Sequence, residues 1–164
     1  MGSLLDKLDR LRDKWRGTQY PDGNVVPLST TEVLDALLSV GSPPAPYRVH
    51  KAITSESIDL IAEWSLQYSS FGERVSQRIK IQMRLHPALH EVWAVQENWS
   101  ITKGQLTRSW SHGRGSGFYV EWTYERGPDG RRRKVKTLDT RDMRNTLRKV
   151  VVSSGWTWRA LGTM

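Results

Sequence analysis

No cysteine occurs among the 164 residues. That excludes disulfide staples, thiolate metal sites and thiol catalysis, and it fits a reducing compartment. Long apolar runs are missing too. The chain passes from Leu4 and Leu5 into Asp6, Lys7, Asp9, Arg10 and Arg12, so no segment there serves as a signal peptide or membrane span. A cytoplasmic protein without a membrane partner is the expectation. Repeats and low-complexity tracts are absent as well.

Catalytic signatures are equally scarce. His86, His90 and Glu91 do not fall at the His-Glu-x-x-His spacing of a helical zinc site, and Pro87 breaks the element between them, so a surface group around a turn is expected. The run from His112 to Gly117 is Gly-rich but lacks the Lys-Ser/Thr pair of a phosphate loop. Glu121 is followed by Trp122 and Thr123, which breaks the carboxylate and lysine pattern of a two-metal nuclease. The balance leans toward a non-enzymatic protein, with no cofactor or metal expected.

Charge is abundant and unevenly placed. The formal net charge is +8, yet residues 1–75 hold 8 Lys/Arg against 10 Asp/Glu while residues 76–164 hold 17 against 7. Basicity therefore belongs to the second half, the arrangement expected of a polyanion-binding surface.

Periodicity outlines one α+β domain over 1–164, with a helical part at 1–45, an antiparallel sheet at 46–138 and a C-terminal helix and tail at 139–164. Leu4, Leu8, Leu11 and Trp15 recur at helical spacing after Ser3 and before Gly17. Ser29-Thr30-Thr31-Glu32 has the form of a capping box and opens a second helix ending near Gly41. From residue 58 the period becomes two. Ile58 to Tyr68, Ser76 to His86, Trp93 to Ile101, Leu106 to Trp110, Phe118 to Tyr124 and Arg131 to Leu138 read as strands, after an extended segment at 47–53. Lys103-Gly104 and Gly113 to Gly117 are expected loops. A last helix carries Met143, Leu147, Val150 and Val151, and Gly155 ends it before Trp156-Thr157-Trp158. The sum is two N-terminal helices, a curved antiparallel meander of about 6–7 strands, and one C-terminal helix packed on it, an order shared with open-cone and helix-grip architectures.

Within this outline, Trp64, Trp93, Trp99 and Trp122 fall on apolar faces and are expected in the core. Trp110, Trp156 and Trp158 are less constrained. The fourth strand shows Trp93, Val95, Trp99 and Ile101 on one face, interrupted by Glu97, for which an exposed edge or bulge position is expected.

Three basic rows carry the functional reading. The first is a hairpin with Arg126, Arg131, Arg132, Arg133, Lys134 and Lys136 around Gly127-Pro128-Asp129-Gly130. A four-residue loop there places Arg126 opposite Arg131, pairs Glu125 with Arg132 and Glu121 with Lys136, and sets Tyr124 beside Arg133 and Trp122 beside Val135. The second row is Arg141, Arg144 and Arg148 on the wet face of the last helix. The third is Arg78, Lys80 and Arg84 on the outward face of a strand. Together they suggest a nucleic-acid-binding domain. Two rival readings remain. One is a structural or assembly subunit of a virion-like particle, docking a protein partner or itself through the Leu4–Trp15 helix and Trp156/Trp158. The other is a small-ligand pocket inside a cone-like sheet, lined by Glu97, Arg108 and tryptophans.

Overall fold

The computed structural model describes residues 4–53, 57–111 and 119–162, the side chains at 14–15 and 109–111 excepted. Ser3, the loop at Gly113 to Gly117 and Phe118 therefore lie outside the described residues, as do the side chains of Trp15 and Trp110. Helices α1 (Leu4–Trp15) and α2 (Thr30–Ser39) precede strands β1 (Arg48–Lys51), β2 (Leu60–Ser70), β3 (Glu73–His86), β4 (Glu91–Thr102) and β5 (Gln105–Ser111). A hairpin of β6 (Val120–Arg126) and β7 (Arg132–Asp139), helix α3 (Asp142–Ser153) and strand β8 (Thr157–Leu161) follow. The α+β class, with two helices before the sheet and one after it, is the class observed.

Local chemistry explains the boundaries. The Ser29 hydroxyl accepts from the Glu32 amide at 3.3 Å while the Glu32 carboxylate accepts from the Ser29 amide at 2.9 Å, closing the capping box of α2. Two-residue loops at Phe71-Gly72 and Lys103-Gly104 join β2 to β3 and β4 to β5. Pro87 opens a single 3₁₀ turn between β3 and β4.

Strands β1 to β5 pair antiparallel in sequence order. One face of this sheet presents Leu60, Ala62, Trp64, Ile79, Ile81 and Met83 to Val33 and Leu37 of α2 and to Met143, Leu147 and Val151 of α3. At roughly 1.5–3 kcal/mol for each fully buried large aliphatic side chain, this layer dominates the folding energy.

Three features depart from the expected meander. First, β8 joins the sheet parallel to β4. Strand β5 covers only Gln96–Thr102 of β4, which leaves the edge at Glu91–Val95 open, and β8 fills it. Trp156 and Trp158 are consequently 1 % and 2 % exposed, so they are core residues and not a docking tail. Second, β6 and β7 form a separate two-stranded sheet.

Third, the faces of β4 are reversed from expectation. Val92 pairs with Leu85 and Ala94 with Met83, so the helix-covered side of β4 carries Val92, Ala94, Gln96 and Asn98. Trp93, Val95, Glu97, Trp99 and Ile101 lie on the open side. The reason is space: buried Trp158 sits beside Val92 on the covered face, where the adjoining β4 positions are filled by small side chains. Of the four tryptophans expected in the core, Trp64 is there, Trp93 and Trp99 are half-buried on the open face, and Trp122 is exposed. Glu97 is buried at 7 % exposure and bonded to Arg108, not displayed at an edge.

Gly155 closes α3 with φ +77°, and a Cβ there would meet Pro27 Cα at 2.8 Å. Gly130 has φ +74° with nothing within 4 Å of such a Cβ. Gly130→Ala should cost about 1 kcal/mol, the left-handed penalty alone. Gly155→Ala should cost about 3 kcal/mol or more, because a backbone collision is added. Urea denaturation of both variants checks this, and equal costs would contradict the close seating of the 26–28 loop on the end of α3.

Candidate nucleic-acid interface

The hairpin turn decides which side chains share a face. Gly130 N–H donates to Gly127 C=O at 2.9 Å, and Gly127 N–H donates to Arg131 C=O at 2.9 Å. With Gly130 left-handed, Pro128, Asp129 and Gly130 make a three-residue loop of the type-I-plus-bulge kind. The expected four-residue loop is thus one residue too long, and the register moves by one. Arg126 faces Arg132, Tyr124 faces Lys134, and Trp122 faces Lys136; past a bulge between Glu121 and Trp122, Glu121 faces Leu138 and Val120 faces Asp139.

A shift of one residue re-sorts every charge, because side chains alternate between faces. One face of the ribbon now carries Arg126, Arg132, Tyr124, Lys134, Trp122 and Lys136. The other carries Glu125 opposite Arg133, Thr123 opposite Val135, and Glu121 opposite Leu138. The expected Glu125 with Arg132 and Glu121 with Lys136 pairs do not form, since these residues point to opposite sides. Arg133 instead reaches Asp129 at 3.4 Å, and Lys134 lies 4.7 Å from the Trp122 ring centroid in place of the anticipated Tyr124 and Arg133 contact. Thr123, Val135 and Leu138 are half-buried, whereas the basic-aromatic face is exposed throughout, with Trp122 at 48 % and Tyr124 at 69 %.

The base of the ribbon is fastened at two points. Tyr119 stacks on Tyr68 with centroids 3.9 Å apart and donates its hydroxyl to Ser69 C=O at 2.7 Å. Asp139, buried at the end of β7, accepts from Arg141 Nε at 2.9 Å and Nη2 at 2.8 Å, from the Arg141 amide at 3.0 Å, and from Lys136 Nζ at 3.2 Å. The Arg141 guanidinium holds the Asp139 carboxyl far below the usual carboxylate range.

That node joins the first basic row to the second. On α3, Arg141 is committed to Asp139 and Arg148 donates to Asn145 at 3.2 Å. Arg144 is not on a wet face, as the stripe implied, but half-buried with its Nε enclosed and without a hydrogen-bond partner. Burial lowers its pKa, and neighbouring Arg148 and Arg141 lower it further.

The third row is placed elsewhere. Arg78, Lys80 and Arg84 lie on the open face of β3, across the sheet from α3. Arg78 donates to Glu63 at 2.6 Å, and Lys80 sits in register between Glu63 and Glu97. Arg78 and Arg108 flank the Trp99 ring at 5.6 and 5.5 Å, and Arg108 bonds Glu97 at 3.1 Å. Two rows therefore adjoin, and the third is separate, its Arg78 paired with Glu63. A shallow groove of about 580 Å³ opens on this same face, lined by Ser65, Gln67, Ser76, Trp99, Ile101 and Leu106 among others. Glu97 and Arg108 do not line this groove.

The histidine group is used structurally. His86 stacks on Trp93 with centroids 3.8 Å apart, and Glu91 accepts from Trp93 Nε1 at 2.6 Å and from Arg159 Nη2 at 2.8 Å. Among the described residues no three His, Asp or Glu side chains are grouped to hold a metal ion. Protein-family models, curated proteins and solved structures give no match to this chain, so its site is read from its own geometry.

Asp139 has a definite pH signature. Its folded pKa lies below the unfolded value of about 3.9, so the stabilisation is complete above that value and is lost as pH falls through the acid range. Asp139→Asn should cost about 3 kcal/mol at neutral pH, leaving two cations unpaired, and should flatten stability between about pH 5 and pH 2 relative to wild type. Urea titrations across that range test it; parallel pH profiles would refute the role of the carboxylate.

Proposed function

We propose that this protein is a non-enzymatic nucleic-acid-binding domain whose contact surface is the open face of the β6–β7 ribbon, continued by Arg141, Arg144 and Arg148 on α3. One observation carries the reading. Arg126 and Arg132 stand directly opposite each other beside the turn, while Asp139, the carboxylate on their face of the ribbon, lies at its far end, where it is taken up by Lys136 and Arg141. Like charges so placed are destabilising in the free protein, and a phosphate between them turns the repulsion into attraction with release of counterions.

The rest of the face suits the same partner. Trp122 and Tyr124 are two residues apart on one strand, about 7 Å along it, and each exposes ring surface on which a base stacks. Lys134 and Lys136 flank them. Half-buried Arg144, whose Nε has no hydrogen-bond partner among the described residues, supplies a further cation beyond the Asp139 node. These observations support polyanion binding at the ribbon and α3 in preference to the separate row of Arg78, Lys80 and Arg84, where Glu63 holds Arg78.

Fluorescence anisotropy with labelled single-stranded and duplex oligonucleotides tests this. Binding should weaken steeply with salt, and Arg126→Ala/Arg132→Ala should lower the log–log salt slope by about 2. Trp122→Ala/Tyr124→Ala should weaken single-strand binding by at least about tenfold while sparing duplex. An equal loss on both would assign the ribbon to a duplex groove instead. Affinity that is absent, or indifferent to salt, sinks the proposal.

A further inference from the structure

Helix α1 is turned the wrong way round for a globular protein. Its four leucines are exposed, Leu4 at 77 %, Leu5 at 72 %, Leu8 at 54 % and Leu11 at 54 %. The side held to the body is the polar one. Tyr20 donates its hydroxyl to Asp13 at 2.6 Å, the Arg10 guanidinium lies 5.4 Å from the Tyr20 ring centroid, and the Thr18 amide donates to Asp13 C=O at 2.8 Å. The segment carrying these contacts is itself anchored, Gln19 exchanging two backbone hydrogen bonds with Trp158 of β8. A helix of 12 residues is marginal in water unless its apolar stripe is covered, and here that stripe faces outward.

The charges around the stripe indicate what covers it. At about 100° per residue, Leu4, Leu8 and Leu11 fall within one narrow sector, Lys7 borders it on one side and Arg12 on the other, and Asp6, Asp9 and Asp13 gather opposite. Two copies laid stripe to stripe would oppose cation to cation in either direction, Lys7 to Arg12 when parallel and each to its own counterpart when antiparallel. The Asp9 to Arg12 contact at 3.2 Å is exposed and compensates little. A sheet of anionic headgroups meets all three sectors at once. Leucines enter the acyl boundary, Lys7 and Arg12 extend their stems along it and place their charges among the phosphates, and the aspartates stay on the side turned away from the lipid.

We infer that α1 is a peripheral anchor that lies flat on an anionic lipid surface. The contact is interfacial, since no helix among the described residues is long and apolar enough to cross a membrane. One such short helix binds weakly and reversibly, and the net charge of +8 adds the second attraction that stable association needs. This goes beyond the sequence reading, which gave α1 a protein partner and expected no membrane, because periodicity does not reveal which side of a helix the body holds. It also stands independently of the nucleic-acid proposal, which uses a different surface.

Flotation of the full chain with phosphatidylcholine vesicles, with and without phosphatidylserine, is the test. The protein should float with the anionic vesicles and not with the neutral ones. Leu8→Ser/Leu11→Ser should reduce the floated fraction by at least about tenfold, with circular dichroism and oligonucleotide binding unchanged because both leucines are exposed. Arg126→Ala/Arg132→Ala, which lowers the net charge of +8 by two and leaves the leucines in place, should still float with the anionic vesicles. The inference is overturned if wild type stays at the bottom of the gradient, or if flotation survives loss of the leucines and fails with the ribbon variant. It is also overturned if sedimentation equilibrium shows a dimer that Leu8→Ser/Leu11→Ser abolishes, for then a second copy covers the stripe.

Discussion

The buried carboxylate of Asp139 is the joint on which the basic half of this protein turns. It receives Arg141 through a two-toothed guanidinium contact and Lys136 from the preceding strand, so the end of β7 and the start of α3 are held by one side chain. Such a carboxylate, stripped of water, is tolerable only while both cations remain on it. The consequence is geometric. A hairpin that makes few other attachments to the sheet is held against α3, and the cations of two elements distant in character become neighbours. Tyr119 stacked on Tyr68 provides the second fastening, from the side of β2.

Given that joint, the turn determines what the ribbon presents. A three-residue loop places Arg126 opposite Arg132, whereas a four-residue loop would have set each beside a different partner and let Glu125 and Glu121 neutralise the face. Local chemistry at Gly130 thus sorts six basic and aromatic side chains to one face and Glu121 and Glu125 to the other. The stability of the free hairpin is not improved by this sorting. It leaves like charges in register, a departure from local consistency of the kind that accompanies binding surfaces. Helix α1 shows the same departure in apolar form, a stripe of leucines held outward by contacts on its polar back.

Much of the architecture could be read along the chain. Helix α2 announces itself through Ser29 and Glu32, β2 and β3 through strict alternation, and the turns through Lys103-Gly104 and Gly127 to Gly130, each a local signal with a local cause. The strand at 157–161 could not be read, because three alternating residues after Gly155 are too few to establish a period and its parallel partner lies over sixty residues earlier. The inner face of β4 was misassigned for a related reason. Both of its faces are apolar, Val92 and Ala94 against Trp93 and Val95, and hydropathy favours the larger rings although the packed layer has room only for the smaller side chains beside Trp158. Of the candidate site, the basic residues were visible individually. Their grouping was not, since the α3 arginines, the ribbon and the β3 row differ in nothing a linear pattern records.

What composition and periodicity settled on their own is the α+β class, the position of nearly every element and the concentration of positive charge in the second half, because each follows from residues a few positions apart. What only the folded chain decided is which charges meet. Glu63 reaches Arg78, Glu97 reaches Arg108, and Asp139 gathers Lys136 and Arg141, while Arg126 and Arg132 are left facing one another. Coulombic partnership depends on distance in space and on the face to which a side chain points, and a one-residue change of register alters both without altering a single amino acid.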